Sequence, residues 1–592
     1  MLAYLAPSDG MLSIWVRTIG ATDDRVVARD PARPILQHVW RGDSRHVLYL
    51  QDSAGNENFH LFQVGATGGT PRELTPGENV RAGLIAVDYR YPDEVLITSN
   101  ERDETVFDVY RVNLEAGTAQ LDTRNPGDVS SWLNDNAFIV RAATVRNDDG
   151  SSLIRIRNDG SAPWRTLDEF SVEDGTPHLV AFSADNASVY LVTAKDANAA
   201  RLVRYDAATG VMTPVAGDAA FDVESVHIDP ATNEPVAVAI LRDRIDWQAL
   251  DPRFAPDLAA LRALHHGDAA IDAASADGKT LIVRYAVDDG PLAYYAYDRA
   301  TRGGTLLFHS RPALMNEVLA PMRPIVFAAR DGLKIHGYLT LPAGVEPRNL
   351  PAVMVVHGGP WHRDRWGFDP FSQWLANRGY AVLQINFRGS TGYGKAYLNA
   401  GDRQWAGTMR TDLLDARDWA VAQGYADPRR FAIMGGSYGG YAVLAALTFT
   451  PDAFSCGVDM VGPSNLNTLL ASIPPYWKTM RSMFTQRMGD DPEFLAAQSP
   501  LFKAADITAP LLIAQGANDP RVKQQESDQI VEVMRQNGVP VTYLLFEDEG
   551  HGFAKPQNSK RFTALAEEFL GRVLGGRVEP PSADEDVAPF LR

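Results

Sequence analysis

The chain has 592 residues, 45% hydrophobic and 22% charged, with 74 acidic against 56 basic side chains and a net charge of −18. That length exceeds what one hydrophobic core supports, so two or more domains are expected. The acidic balance, with no lysine- or arginine-rich run and no apolar stretch near the roughly 20 residues of a membrane span, argues against nucleic acid and membranes as partners.

The opening MLAYLAPSDG is neither basic enough nor long enough for a signal peptide. Cys456 is the only cysteine, so no intrachain disulfide forms, and a cytoplasmic location is expected. The chain begins almost inside a strand, which leaves upstream sequence, including a leader, open.

From residue 1 to about 315, short apolar runs start near Leu2, Val47, Val95, Ala137, Ser188, Pro235 and Thr280. Most are followed by a second run and a turn, as in FHLFQVGATGG and RLVRYDAATG. Turn cues such as RGDSRH, SADNAS and SADGKT precede several. A recurrence of about 45 residues, each unit holding several short strands, is the period of a propeller blade. Seven starts predict seven blades over 1–315. A sandwich is the alternative, but it has no reason to recur at a fixed period. APDLAALRALHHG, 255–267, predicts a helical insertion near the sixth blade.

From about residue 316 to 578 the rhythm changes. Strand candidates at 324–329, 336–342, 352–358, 380–387, 429–434, 456–462, 510–516 and 541–547 alternate with helical stretches such as 412–424 and 526–538. Unbroken Val/Ile/Leu runs between helices predict a mostly parallel, doubly wound α/β sheet covered on both faces. The acidic, proline-containing segment 579–592 reads as a loose tail.

Within this half, MGGSYGGYAV (434–443) places Ser437 between an apolar strand and an Ala/Leu-rich helix, with Gly435 two residues before it and Gly439 two after. This is the G-x-S-x-G nucleophile elbow of α/β-hydrolases, whose small flanking residues let strand and helix approach. An incidental serine in a glycine-rich loop would give the same letters, so its partners must decide. A serine hydroxyl is a poor nucleophile until a base takes its proton. His551, on the glycine-flanked loop EDEGHGF, is the only histidine after Ser437. Asp519, in the turn GANDPRV after a strand, is the expected orienting acid, with Asp548 as the weaker rival. The nucleophile–acid–histidine order is that of an α/β-hydrolase. The backbone N–H groups of Tyr438 and of Gly359 in HGGP are the expected oxyanion donors.

With VVHGGPW, NFRGSTGYG, GGSYGGY, GANDPRV and DEGHGF in that order after a propeller-like half, the chain resembles the prolyl oligopeptidase family of serine peptidases. The form of GGSYGGY is similar to acylaminoacyl peptidases and to bacterial dipeptidyl aminopeptidases. The resemblance implies a propeller that admits only short peptides to the hydrolase site and catalysis through an acyl-enzyme. For relatives of the dipeptidyl peptidase IV type it also implies a paired-glutamate clamp for the substrate's free amine, and the propeller half has no Glu-Glu pair, which counts against that type. Arg521 is a candidate for binding a substrate carbonyl or carboxylate, with a salt bridge to the propeller as its alternative role. Tyr476 and Trp477 are candidates for an apolar first-subsite wall, whereas Asn386 and Arg388 are expected to brace a loop. No metal spacing or phosphate loop is present, so no cofactor is expected. Short peptides are the expected partners, and a homo-oligomer is left open. The expected function is a serine peptidase hydrolysing short peptides, an acylaminoacyl-peptidase-like exopeptidase or oligopeptidase, with an esterase on the same scaffold and a propeller binding protein with a vestigial hydrolase as the competing functions.

Overall fold

The computed structural model describes residues 1–592 apart from 475–476 and 583–584, and apart from the side chains of 478 and 479. Tyr476 therefore lies outside the described residues.

The first half is a seven-bladed propeller. Seven antiparallel sheets follow one another along the chain, from Leu2–Ser8 in the first to Gly303–His309 in the last. Five have four strands, while the first and sixth have three. Apolar runs of the sequence become inner strands: His46–Gln51, Glu94–Ser99, Val140–Arg146, Ser188–Thr193, Glu234–Leu241 and Thr280–Ala286 are each second in their sheets, mostly buried in the first five and buried at alternate residues in the last. Two of the turn cues share one chemistry. In SADNAS, Ser183 Oγ donates to Asp185 Oδ1 (2.6 Å) and accepts from Ser188 N (2.9 Å). In SADGKT, Ser275 Oγ makes the same pair of bonds with Asp277 (2.7 Å) and Thr280 N (3.0 Å). These local bonds compete with strand extension and close the hairpins. The expected insertion is the helix Ala255–Leu264, which buries Leu258 and Leu261 directly after the sixth sheet.

The second half holds one eight-stranded sheet, in the order Met322–Ala328, Lys334–Thr340, Ala381–Asn386, Leu350–Val356, Ala426–Gly436, Cys456–Met460, Leu511–Gly516, Val541–Phe546. Lys334–Thr340 pairs antiparallel with both of its neighbours, Met322–Ala328 and Ala381–Asn386, and the remaining ladders are parallel. Alternate residues feed two cores: Ala352, Met354, Phe431 and Ile433 point to one face, and Val353, Ala432 and Met434 to the other. Burial on both faces explains the unbroken apolar runs. The helix Tyr438–Phe449 packs on the first face. Pro556–Leu574, a helix absent from the sequence reading, packs Phe562, Ala566, Phe569 and Leu570 on the second. Among the described residues no helix is long and apolar enough to cross a membrane.

The end of the tail departs from the loose segment expected for 579–592. Leu591 bridges Leu544 on the outermost strand, Arg592 N donates to Tyr543 O (3.0 Å), and the Phe590 ring packs at a tilt against Phe546 at 5.2 Å. The sheet's last strand offers unpaired backbone groups and an aromatic neighbour, and these terminal residues satisfy both.

Candidate active site

Six parallel strands end on the same edge of the sheet, and the segments after four of them carry Gly359, Ser437, Asp519 and His551. The strand Ala426–Gly436 runs into Ser437, whose backbone lies at φ 59°, ψ −119°, and then into the helix Tyr438–Phe449. A positive φ is costly for a residue with a Cβ and persists only when its surroundings impose it. Here Ser437 N donates to Met460 O on the next strand (2.8 Å), and Tyr441 N donates to Ser437 O (3.0 Å). The flanking glycines are steric necessities. A Cβ on Gly435 would lie 2.6 Å from the Gly439 carbonyl carbon, and one on Gly439 would lie 2.1 Å from Val356 O.

Asp519 follows the strand Leu511–Gly516, and its side chain is wholly buried. Its Oδ1 accepts from Arg521 N (2.8 Å) and Val522 N (2.9 Å), and its Oδ2 contacts His551 Nδ1 at 2.6 Å. His551 follows the strand Val541–Phe546, and its ring is 13% exposed. With Nδ1 on the carboxylate, Nε2 is left as the imidazole's working nitrogen. Asp548 is turned to Lys555 Nζ (2.5 Å) and Asn558 Nδ2 (3.0 Å).

The HGGP loop lies against the elbow: a Cβ on Gly358 would stand 3.4 Å from Ser437 Cβ and 3.0 Å from Gly436 O. Gly359 has φ +120°. His357 secures the loop by stacking on Phe387 at 4.4 Å and by contacts to Ser390 Oγ (3.0 Å) and Gly358 O (2.8 Å). Burial pushes its imidazole down to about 3, so it stays neutral. Tyr438 is buried at the first position of the elbow helix, where a backbone N–H has no intrahelical acceptor.

Trp477 stacks on Phe484 at 6.2 Å, and Phe484 meets Trp361 edge-on at 5.1 Å. These half-buried rings form a continuous aromatic wall from the residue after HGGP to the helix Lys478–Met488. Phe484 and Trp361 were not singled out in the sequence. Trp361 had a signal in its place beside the oxyanion glycines, and Phe484 had none. Arg521 pairs with Glu57 of the propeller (2.8 Å) and lies over the Trp477 ring at 5.6 Å. Asn386 and Arg388 brace loops: Asn386 bonds the backbone of Asp364 (2.6 and 3.1 Å) and Tyr393 OH (2.7 Å). Arg388 forks onto Asp412 (2.7 and 2.9 Å).

Beneath the elbow, Asp459 is wholly buried. Its Oδ1 accepts from Gly462 N (3.0 Å), its Oδ2 has no hydrogen-bond partner among the described residues, and burial pushes the carboxyl up to about 7. The sign of the linkage follows. Between the ordinary value of 3.8 and about 7 the folded chain holds a proton that the unfolded chain has lost, so stability from this group falls as pH rises through that window and is flat above it. Asp459→Asn, neutral throughout, is therefore expected to raise stability by about 1–3 kcal/mol at pH 8 and by little at pH 4. Urea unfolding at the two pH values measures it. A loss of stability at pH 8 would mean that the carboxylate is charged and compensated.

Comparison with known proteins gives a consistent result. The profile described as "Prolyl oligopeptidase family" matches residues 366–577. Dipeptidyl aminopeptidase BIII of Pseudoxanthomonas mexicana is 43% identical over 98% of this chain and 86% of its own length. Dipeptidyl peptidase family member 6 of Caenorhabditis elegans is 35% identical over 98% of this chain and 84% of its own. Among solved structures, a Mycobacterium tuberculosis puromycin-hydrolyzing peptidase superposes with a TM-score of 0.77 at 22% identity, covering 97% of this chain and 93% of that one.

Proposed function

The chain belongs to the prolyl oligopeptidase family and is a serine peptidase, and from that premise we propose that it releases dipeptides from the free amino end of short peptides, with Ser437, Asp519 and His551 as its triad. The observations that carry the triad are the 2.6 Å contact of His551 Nδ1 with the buried Asp519 carboxylate and the strained elbow serine on a loop at the same sheet edge. His551 Nε2 takes the Ser437 hydroxyl proton as Oγ attacks the peptide carbonyl carbon. The resulting oxyanion accepts hydrogen bonds from the N–H groups of Tyr438 and Gly359. The imidazolium, stabilised by Asp519, then protonates the leaving amine, and water attacks the acyl-enzyme by the same route in reverse.

The dipeptidyl reading is supported by the names of two relatives that match almost the whole chain. Lacking a Glu-Glu pair, the chain has to read a substrate amine with separate carboxylates. Two propeller glutamates reach hydrolase loops, Glu57 at Arg521 and Glu224 at Arg365. The aromatic wall of Trp361, Phe484 and Trp477 is suited to an apolar side chain next to the cleaved bond. Arg521, held by Glu57, would act at the rim of that wall. The propeller limits substrates to short peptides.

The test is a hydrolysis panel with one chromogenic leaving group on a free-amine dipeptide, its acetylated form, an internally placed dipeptide and an ester. The free-amine dipeptide is expected to exceed the acetylated one at least about tenfold in kcat/KM, about 1.4 kcal/mol of transition-state binding. Preference for the acetylated form would instead establish acylaminoacyl release. Cleavage of the ester alone would establish an esterase.

A further inference from the structure

A loop flanked by Gly550 and Gly552 gives His551 great freedom, so something else must hold the imidazole in place. Asp519 fixes the ring. The loop itself is closed by Glu549, whose wholly buried carboxylate accepts from Ala554 N (3.1 Å), Lys555 N (2.8 Å) and Asn558 Nδ2 (3.0 Å) across the turn. Its backbone carbonyl accepts from Asn518 N (2.9 Å), beside Asp519. A buried carboxylate is costly unless a cation faces it. That cation comes from the propeller: Arg33 Nη1 donates to Glu549 Oε2 (3.3 Å), while its Nε and Nη2 are oriented by Asp52 (3.4 Å each). Arg33 is 10% exposed at its side chain.

The surrounding backbone shows that this is a built contact. A Cβ on Gly55 would lie 2.8 Å from Gly550 N, and one on Gly550 would lie 2.4 Å from Gly55 O. Two glycines therefore face each other across the domain boundary, next to the histidine. Asn518 Nδ2 donates to Ala54 O of the same propeller loop (3.2 Å). The loop 52–57 thus abuts both the acid turn and the histidine turn.

We propose that Arg33 is a positioning residue for catalysis: through Glu549 it holds the loop that carries His551, so the propeller supplies part of the mount of the catalytic base. This rests on His551 being that base. Arg33 touches no reacting atom. Its removal leaves an unneutralised carboxylate inside the histidine loop, which must shift or hydrate, and a displacement of about 1 Å at a catalytic group can cost about 10²-fold in rate.

The experiment compares full-length Arg33→Gln, Arg33→Lys and the double variant Arg33→Gln/Glu549→Gln. The measurements are kcat and KM on the best panel substrate and the rate of fluorophosphonate labelling. Arg33→Gln is expected to lower kcat and the labelling rate about 10–100-fold with KM changed by less than about threefold. Arg33→Lys keeps the charge but not the fork, and should lie between it and wild type. The double variant, which keeps the buried Asp52 but has no carboxylate left inside the histidine loop to neutralise, should exceed Arg33→Gln in kcat. Lys395→Met, which removes a different ion pair across the same boundary (Asp174, 2.7 Å), should stay within about twofold of wild type if the effect is local to the histidine loop. Wild-type kcat in Arg33→Gln, or an equal loss in Lys395→Met, overturns the proposal. Should Arg33→Gln fail to fold, Arg33→Lys decides: lowered kcat at unchanged KM supports it, and wild-type kcat overturns it. His551→Ala separates the two readings. If that variant still labels, the base assignment fails. If it does not label while Arg33→Gln does so normally, only the role of Arg33 fails.

Discussion

Replacing Ser437 by Ala is expected to lower kcat about 10⁶-fold, the scale of losing the nucleophile in a serine peptidase triad, while the unfolding midpoint stays within about 2 °C of wild type. The two halves of this expectation have separate causes. Activity depends on the hydroxyl, because an alanine methyl cannot form the acyl-enzyme. Stability depends on the backbone, and the φ of 59° is imposed through Ser437 N on Met460 O and Ser437 O on Tyr441 N, bonds that alanine keeps. The strain of a Cβ at positive φ is likewise the same for both residues. A fluorophosphonate probe, mapped by peptide mass spectrometry, should mark Ser437 in wild type and nothing in the variant. Labelling of another serine, or turnover within about 10²-fold of wild type, would end the assignment.

What was legible in the sequence was whatever local backbone chemistry demands. Gly435 and Gly439 stand out because strand and helix cannot otherwise approach, so the elbow could be read from its spacing together with Asp519 and His551 in the expected order. The blade turns could be read because Ser183–Asp185 and Ser275–Asp277 close them with their own side chains. Asp519 was readable from a turn after a strand, and His551 from being the last histidine. Contacts between distant segments left no such trace. Arg33 and Glu549 are separated by 516 positions, and nothing in PARPIL or DEGHGF announces the other. Phe484 joins Trp361 and Trp477 only because the helix Lys478–Met488 is folded back over the HGGP loop. The helix Pro556–Leu574 is a different case. Phe562, Ala566, Phe569 and Leu570 recur at helical spacing, so its signal was present but unused. The tail misled because proline and acidic residues mark loose segments on average, and the average takes no account of an open sheet edge with Phe546 beside it.

Asp519→Asn is expected to lower kcat about 10⁴-fold with KM little changed, and the geometry gives the reason. Asp519 Oδ1 accepts from two backbone N–H groups, those of Arg521 and Val522. An asparagine must keep its amide oxygen there, since turning the amide over would set its N–H₂ against two donors in a buried site. Its nitrogen is then forced toward His551 Nδ1 as a donor. Nδ1 must accept, so the imidazole proton moves to Nε2, the nitrogen that should receive the serine proton. The variant thus keeps the shape of the site and loses the base. Binding determinants are untouched, which is why the loss belongs in kcat. The control is Asp548→Asn. Asp548 faces Lys555 and Asn558, so this change is expected to leave kcat within about threefold of wild type, as for a partly exposed ion pair. If Asp519→Asn turned over at near-normal rate while Asp548→Asn collapsed, the acid would have to be reassigned, and with it the fixed tautomer on which the mechanism depends.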